Sequence, residues 1–443
     1  MLTLQNRSLT IPLHARRKTG YNTRLLAVCR HIQLLFSSKS TRTAHESRLI
    51  KTGLTDKINL DSYYGFIATI AHGCRTHADI QRPALMHQII NCPSLDAGDV
   101  VTFPEGTGAK IVLLGKPIPP TAINTKEWWP QMPSLEVGTR LMRRIITDGL
   151  LLPTLLATCL GLASEMYTTT AVCGPVGPDG KRGAPLQRRV RLSHHKSPVA
   201  DFGIVHGSVR VISSDRLAYF NTEEGSFMIN QDPDDHHWIY FTLLNGHEYY
   251  LELGMMPFNF GLMVDSRPYC PPGQDIGMAP AHFYGRDMER ELPLKNRLLW
   301  TPKKRFSILR DPRLQAIAET LSLDFHGDAA SRIWTLMEDI AERKCSDWEK
   351  EMVINFLPRT FASVRINILR HQYEKFPPTP QIGISTDPGE HLGSERELDE
   401  FQAYARKLAK KLKKGKISEK KWESAYKNWH KRRHEGKMIS GSE

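Results

Sequence analysis

Cysteine is scarce and poorly placed for chemistry. The 443 residues hold seven, Cys29, Cys74, Cys92, Cys159, Cys173, Cys270 and Cys345, and no two form a Cys-x-x-Cys pair. An odd, scattered set argues against a disulfide framework and an ordinary zinc finger. Long apolar runs are also missing, since a bilayer crossing needs about 20 residues. The longest, Leu150 to Ala163, is interrupted by Pro153, Thr154, Thr158 and Gly161, which predicts a buried helix rather than an anchor. Acidic residues are absent before Glu46, and no continuous apolar segment near Met1 marks a secretory signal.

What is present is an uneven distribution of charge. The net charge is +13. Residues 1–45 carry eight Lys and Arg and no acid, and residues 401–437 carry 14 Lys and Arg against three Glu, so the stretch between them is mildly acidic. Basic ends on an acidic body point to polyanion contact or intracellular addressing rather than to a uniformly cationic surface. The Arg- and Ser-bearing leader fits a mitochondrial transit peptide, with a basic disordered arm as the plainer alternative.

The pattern along the chain predicts an α+β fold: antiparallel sheet and hairpins between helical segments, with a basic helical tail. Residues 46–172 form a mixed helical and hairpin region, in which Asp61 is placed to cap a helix through Ala71. Val100–Phe103 and Lys110–Leu114 flank the turn Pro104-Glu-Gly-Thr-Gly108. In the stretch after Leu135, Pro153 either kinks a core helix or starts a new one. Residues 173–200 read as a Gly- and Pro-rich connector. Residues 201–300 show period-two strands, with Asn245-Gly246 joining His237–Leu243 to Glu248–Leu253 as the strongest hairpin signal. A helical region follows over 303–376, opened by Asp311-Pro312 and continuing from Asp328 to Phe356. Residues 377–400 form a linker, and 401–437 two short basic amphipathic helices.

Three groups of residues invite a chemical reading. Cys159, His237 and Glu252 stand in the chain order of transglutaminase-like and papain-type acyl transfer, where a thiol is activated by an imidazole that an acid orients. The hairpin brings His237 near Glu252 on this reading, although the leucines around Cys159 would raise its pKa. Asp232-Pro-Asp-Asp-His236-His237 offers oxygen and nitrogen ligands, but neighbouring strand residues face opposite ways, which favours a polar turn feeding a strand. His72-x-Cys74-x-x-His77 with His87 and Cys92 is the densest Cys/His segment, yet its second pair is wider than zinc sites use. These readings assign no metal and no cofactor to the chain. Gly106-Thr-Gly-Ala-Lys110 lacks the spacing of a phosphate-binding loop, and Asp201-Phe-Gly203 has no kinase catalytic loop ahead of it.

The tail supplies a separate candidate. Arg406, Lys407, Lys410, Lys411, Lys413, Lys414 and Lys416, followed by Lys431, Arg432 and Arg433, would release counterions from a nucleic acid or serve as an import signal. A solvated helix face accounts for the same pattern.

The segments RLMRRIITDGLLLPTLLATCLGL (140–162), HHWIYFTLLNGHEYYLELGMMPFNFGLMV (236–264) and MAPAHFYGRDMER (278–290) resemble a group of mushroom-type fungal proteins that often carry a MYND-type zinc finger. The resemblance covers about half the chain. It implies an interaction module, but this sequence has no Cys-x-x-Cys pair, so the finger and its ligands do not carry over. The sequence therefore predicts a non-enzymatic interaction protein, nuclear or cytoplasmic with the mitochondrion as alternative, without a membrane span. Its partner would be another protein, with weak nucleic-acid contact through the tail. Acyl transfer through Cys159, His237 and Glu252 is the alternative.

Overall fold

The computed structural model of the chain describes residues 57–77, 80–93, 100–104, 106–119, 128–130, 132, 135–168, 191–228, 231–270, 276–286, 300–319 and 325–385, with scattered positions between 404 and 424. The leader at 1–45, most of the 173–200 connector, and Arg406, Lys413, Lys431, Arg432 and Arg433 lie outside the described residues. The described residues fall into two compact units, one within 57–130 and 142–385 and one within 131–141 and 386–443.

The fold is α+β. A seven-stranded sheet runs in the order β1 (Ile58–Asn59), β5 (Leu192–His194), β6 (Ser197–Val209), β9 (His236–Leu243), β10 (Glu248–Glu252) and β13 (His282–Gly285), with β14 (Trp300–Ser307) also paired to β6. All its pairings are antiparallel except β1 with β5. A five-stranded sheet combines β2 (His87–Ile89), β3 (Val100–Thr102), β4 (Gly108–Pro117), β7 (Leu217–Asn221) and β8 (Ser226–Met228). The third sheet orders β12 (Met278–Pro280), β11 (Leu262–Asp265) and β15 (Ile382–Ile384). Strand β15 thus lies in a stretch whose composition reads as linker, and β14 precedes the helices of the 303–376 region.

The helices follow their capping chemistry. Helix α1 (Leu60–Arg75) is capped by the Asn59 side chain, which accepts from the Asp61 N–H at 3.2 Å, so the helix begins before Asp61. Helix α2 (Leu135–Ile146) stops ahead of Gly149 and Leu150, both left-handed at φ 71° and 54°. Helix α3 (Leu151–Ala163) then starts afresh, with Pro153 in its first turn, where a missing N–H costs nothing. Every residue of α3 is buried, as expected of a helix apolar all round. Helix α4 (Pro312–Glu319) begins after Asp311. The helical pattern over 328–356 is two helices. Helix α5 (Asp328–Ala341) ends at left-handed Glu342, and the Ser346–Glu349 capping box starts α6 (Asp347–Leu369).

One face of the large sheet, carrying Phe202, Ile204, Ile239, Phe241 and Leu251, packs against α1, α3, α5 and α6 to form the main core. Close approach of α3 to α6 depends on Gly161, where an added Cβ would stand 2.7 Å from Thr360 Cγ2. The other face bears Val205, Trp238, Tyr240, Tyr250 and Tyr284, with Trp300 against them. Asp201-Phe-Gly203 belongs to this framework. Asp201 accepts from Ser307 Oγ at 2.6 Å and Tyr240 Oη at 3.1 Å, and a Cβ at Gly203 would run into the Phe306 carbonyl of β14.

Candidate functional site

The large sheet carries two clusters of histidine and carboxylate, one on each face at the same end of β9. Their separation follows from strand alternation, because His236 and His237 are consecutive and point opposite ways.

The assignment of Glu252 to one of them is set at the hairpin tip. A two-residue Asn-Gly loop would place Glu252 opposite Ile239, on the same face as His237. The loop is instead three residues long: Leu243 N–H donates to His247 O at 2.9 Å, Gly246 N–H to Leu243 O at 3.0 Å, and Gly246 takes φ 85°. That is a turn closed by a left-handed glycine. Glu248 then pairs with Thr242 and Leu251 with Ile239, which sets Glu252 on the face of His236.

There His236, fully buried, approaches Glu252 Oε2 with Nε2 at 2.8 Å. Gln231 Nε2 lies 3.3 Å from His236 Nδ1 and donates to Gly254 O at 2.8 Å. Glu252 also accepts from Gly254 N at 2.6 Å and Trp300 Nε1 at 3.1 Å. Burial is the largest influence on this carboxyl and pushes it up. The charge and bond of His236, with the Gly254 and Trp300 donors, outweigh it and leave Glu252 below the usual carboxylate range. Across the ladder from Glu252, His282 stacks on Tyr284 with ring centres 4.4 Å apart, and burial pushes its imidazole down to about 4.

The network continues into the helical layer. Arg75 donates from Nη1 to Leu253 O at 3.0 Å, and Arg82 from Nη2 to Arg75 O at 2.5 Å. Asp148 accepts from Tyr219 Oη and from the Gln231 N–H, both at 2.8 Å. Burial brings Arg75 down to about 10 and Arg82 to about 9, so both stay charged at neutral pH. Both His236 nitrogens are engaged, leaving neither to take a proton from a nucleophile. The arrangement ties α1, the α2–α3 loop, β7 and β10 together.

Cys159, His237 and Glu252 are therefore not assembled as an acyl-transfer set. Glu252 is held by His236, and His237 belongs to the other cluster. The Cys159 thiol is fully buried in the main core, where burial alone raises its pKa far above that of a free thiol. A neighbouring imidazolium would act in the opposite sense. Nor do His72, Cys74, His77, His87 and Cys92 form a ligand group among the described residues. Cys74 faces Thr360 Oγ1 at 3.7 Å, and burial pushes His72 down to about 3.

On the helix-facing side of the sheet, His206 and His237 are direct cross-strand partners, stacked with centres 4.9 Å apart. Asp235, two residues before His237, reaches the same face. Its Oδ1 lies 3.3 Å from His206 Nε2 and 3.6 Å from His237 Nε2. Burial pushes His237 down to about 3, which keeps it neutral at physiological pH. A second group, Asp61, His194 and His195, also has donor atoms within 4.8 Å of one another, but His195 is exposed. His206, Gln231 and Trp300 carried no sequence signal of their own, since each enters through pairing at a distance.

In the second unit, the described lysines Lys407, Lys410, Lys411, Lys414, Lys416 and Lys421 are all exposed while Leu408 is buried. Comparisons with family models, curated proteins and solved structures find no match to this chain.

Proposed function

We propose that this chain is a non-enzymatic interaction protein, nuclear or cytoplasmic, whose body recognises another protein and whose lysine-bearing C-terminal segment contacts a polyanion. The observation that carries the reading is the row of six exposed lysines between 407 and 421, none of them in an ion pair among the described residues. The commitment of His236 and Glu252 to structural bonds supports it, as does the burial of the Cys159 thiol. Strand β15 adds an apolar edge, with Ile382 and Ile384 exposed by 52% and 73%, of the kind a partner strand can extend.

The test is salt dependence. If all six lysines meet phosphates, log K for duplex DNA falls against log salt with a slope of about −5, a loss on the order of a thousandfold between 50 and 200 mM salt. Removing residues 395–443 should abolish this slope and change cellular location. An unchanged slope and an unchanged location together would refute the role of the tail.

A further inference from the structure

We propose that His206, His237 and Asp235 form a binding site for a divalent first-row metal ion, zinc in the first instance. The argument begins with two contrasting distances on one strand. His236 meets its carboxylate at 2.8 Å, the length of a charge-assisted hydrogen bond. On the opposite face, Asp235 Oδ1 stands 3.3 and 3.6 Å from the two imidazole nitrogens and makes a hydrogen bond with neither. Ligands at 2.0–2.1 Å from a tetrahedral zinc are themselves about 3.3 Å apart, close to the 3.3 and 3.6 Å that separate Asp235 Oδ1 from the two imidazoles, and all three donor atoms lie within 4.8 Å of one another.

The atoms concerned are otherwise unaccounted for. His237, 2% exposed, has a buried Nε2 without a hydrogen-bond partner, and Asp235 Oδ1 is in the same condition. A buried polar atom left in this way costs about 1–3 kcal/mol, so it calls for a ligand. Adjacent strand residues cannot share an ion, but Asp235 and His237 are two apart, and cross-strand register supplies His206.

The surroundings have the form of an outer shell. His206 Nδ1 stands 3.4 Å from Glu342 Oε2, short of a hydrogen bond, so a small approach of this carboxylate would orient the ring with Nε2 towards the ion. Arg343 Nε donates to Asp235 Oδ2 at 3.0 Å, which holds the carboxylate with Oδ1 turned inward. Two imidazoles with one carboxylate suit zinc and its first-row neighbours, whereas calcium and magnesium call for oxygen ligands. Three protein ligands leave a fourth position for water or a partner's side chain, and Asp235, 24% exposed, marks the way in. Bound there, the ion would join β6 and β9 to the turn before β9, with Glu342 and Arg343 bringing in the end of α5.

The full-length chain, stripped with a chelator, is titrated with Zn2+ against a chromophoric competitor and separately with Co2+. We expect one tight equivalent of zinc, visible d–d absorption from cobalt, and no response to Ca2+ or Mg2+. Asp235→Asn, at a partly exposed position, should weaken zinc binding on the order of a hundredfold or more and remove the cobalt spectrum. Glu342→Gln should weaken it about 10–100-fold, the effect of an outer-shell partner. His195→Gln, in the other group, should change neither. Circular dichroism of each variant separates loss of the ligand from loss of the fold. The proposal is overturned if the wild-type chain takes up neither metal, or if folded Asp235→Asn and His206→Gln both bind as the wild type does.

Discussion

Acidification should destabilise this protein well above the range where carboxylates titrate, and His282 supplies a measurable share. Its side chain lies on β13 opposite Glu252, 9% exposed, between Tyr284 and Trp300, and its buried Nδ1 has no hydrogen-bond partner. Burial brings the folded-state value down to about 4 against about 6.5 in the unfolded chain. The unfolded state therefore binds the proton first. Stability is full above pH 6.5 and is lost as pH falls from there towards 4. Between pH 7.5 and 5.0 the linkage amounts to about 2 kcal/mol for this one ring. His282→Phe keeps the stacking and removes the titration. Denaturant unfolding of both proteins at the two pH values gives the double difference, in which any constant packing change cancels. The wild type should lose about 2 kcal/mol more than the variant. Equal losses would show that His282 is protonated as readily in the fold as out of it, and the reasoning from burial would fail.

Two further outcomes follow from the same framework. Glu252→Gln should cost about 3 kcal/mol by thermal melting, because it strips the charge facing buried His236 and turns a donor towards Trp300 or Gly254. It should also flatten the loss of stability below pH 4.5, where the unfolded chain's carboxyl takes up its proton while the lowered folded one stays charged. Gly203→Ala should destabilise by about 1–3 kcal/mol and speed amide exchange along β14, since the new methyl group meets the Phe306 carbonyl. An exposed glycine without that neighbour would respond in the opposite direction.

Local signals located several elements, and non-local pairing decided the rest. The Val100–Leu114 hairpin, the fresh start of a helix around Pro153, and the Asn-Gly turn were legible because turn chemistry and apolar periodicity act within a few residues. The break between α5 and α6 had its sign in Ser346-Asp-Trp-Glu349, but the continuous helical pattern around it hides the cap. Glu252 was legible as the acid of the hairpin, whereas its histidine was not, because one extra residue in the loop moves the pairing by one position. His206 lies 31 positions from His237 in the sequence and meets it only through the register of β6 with β9. Asn59 rather than Asp61 caps α1 because its amide oxygen lies one residue ahead of the first helical turn.

The tip of the β9–β10 hairpin has the look of a place where length is free to vary, with Leu244 exposed by 69%. The pair at which it closes, Leu243 with His247, nevertheless sets the face of every side chain on β10. Closing one position later, with Leu244 opposite His247 around Asn245-Gly246, would ask β10 to present Leu251 outward and Glu252 towards the helices, stranding an acid in the apolar layer and leaving His236 without its carboxylate. A residue lost or gained between Leu243 and His247 leaves that pairing in place, whereas a slip of one position inverts it. The exposed tip therefore answers to the interior through the pair of residues at which it closes, and not through its length.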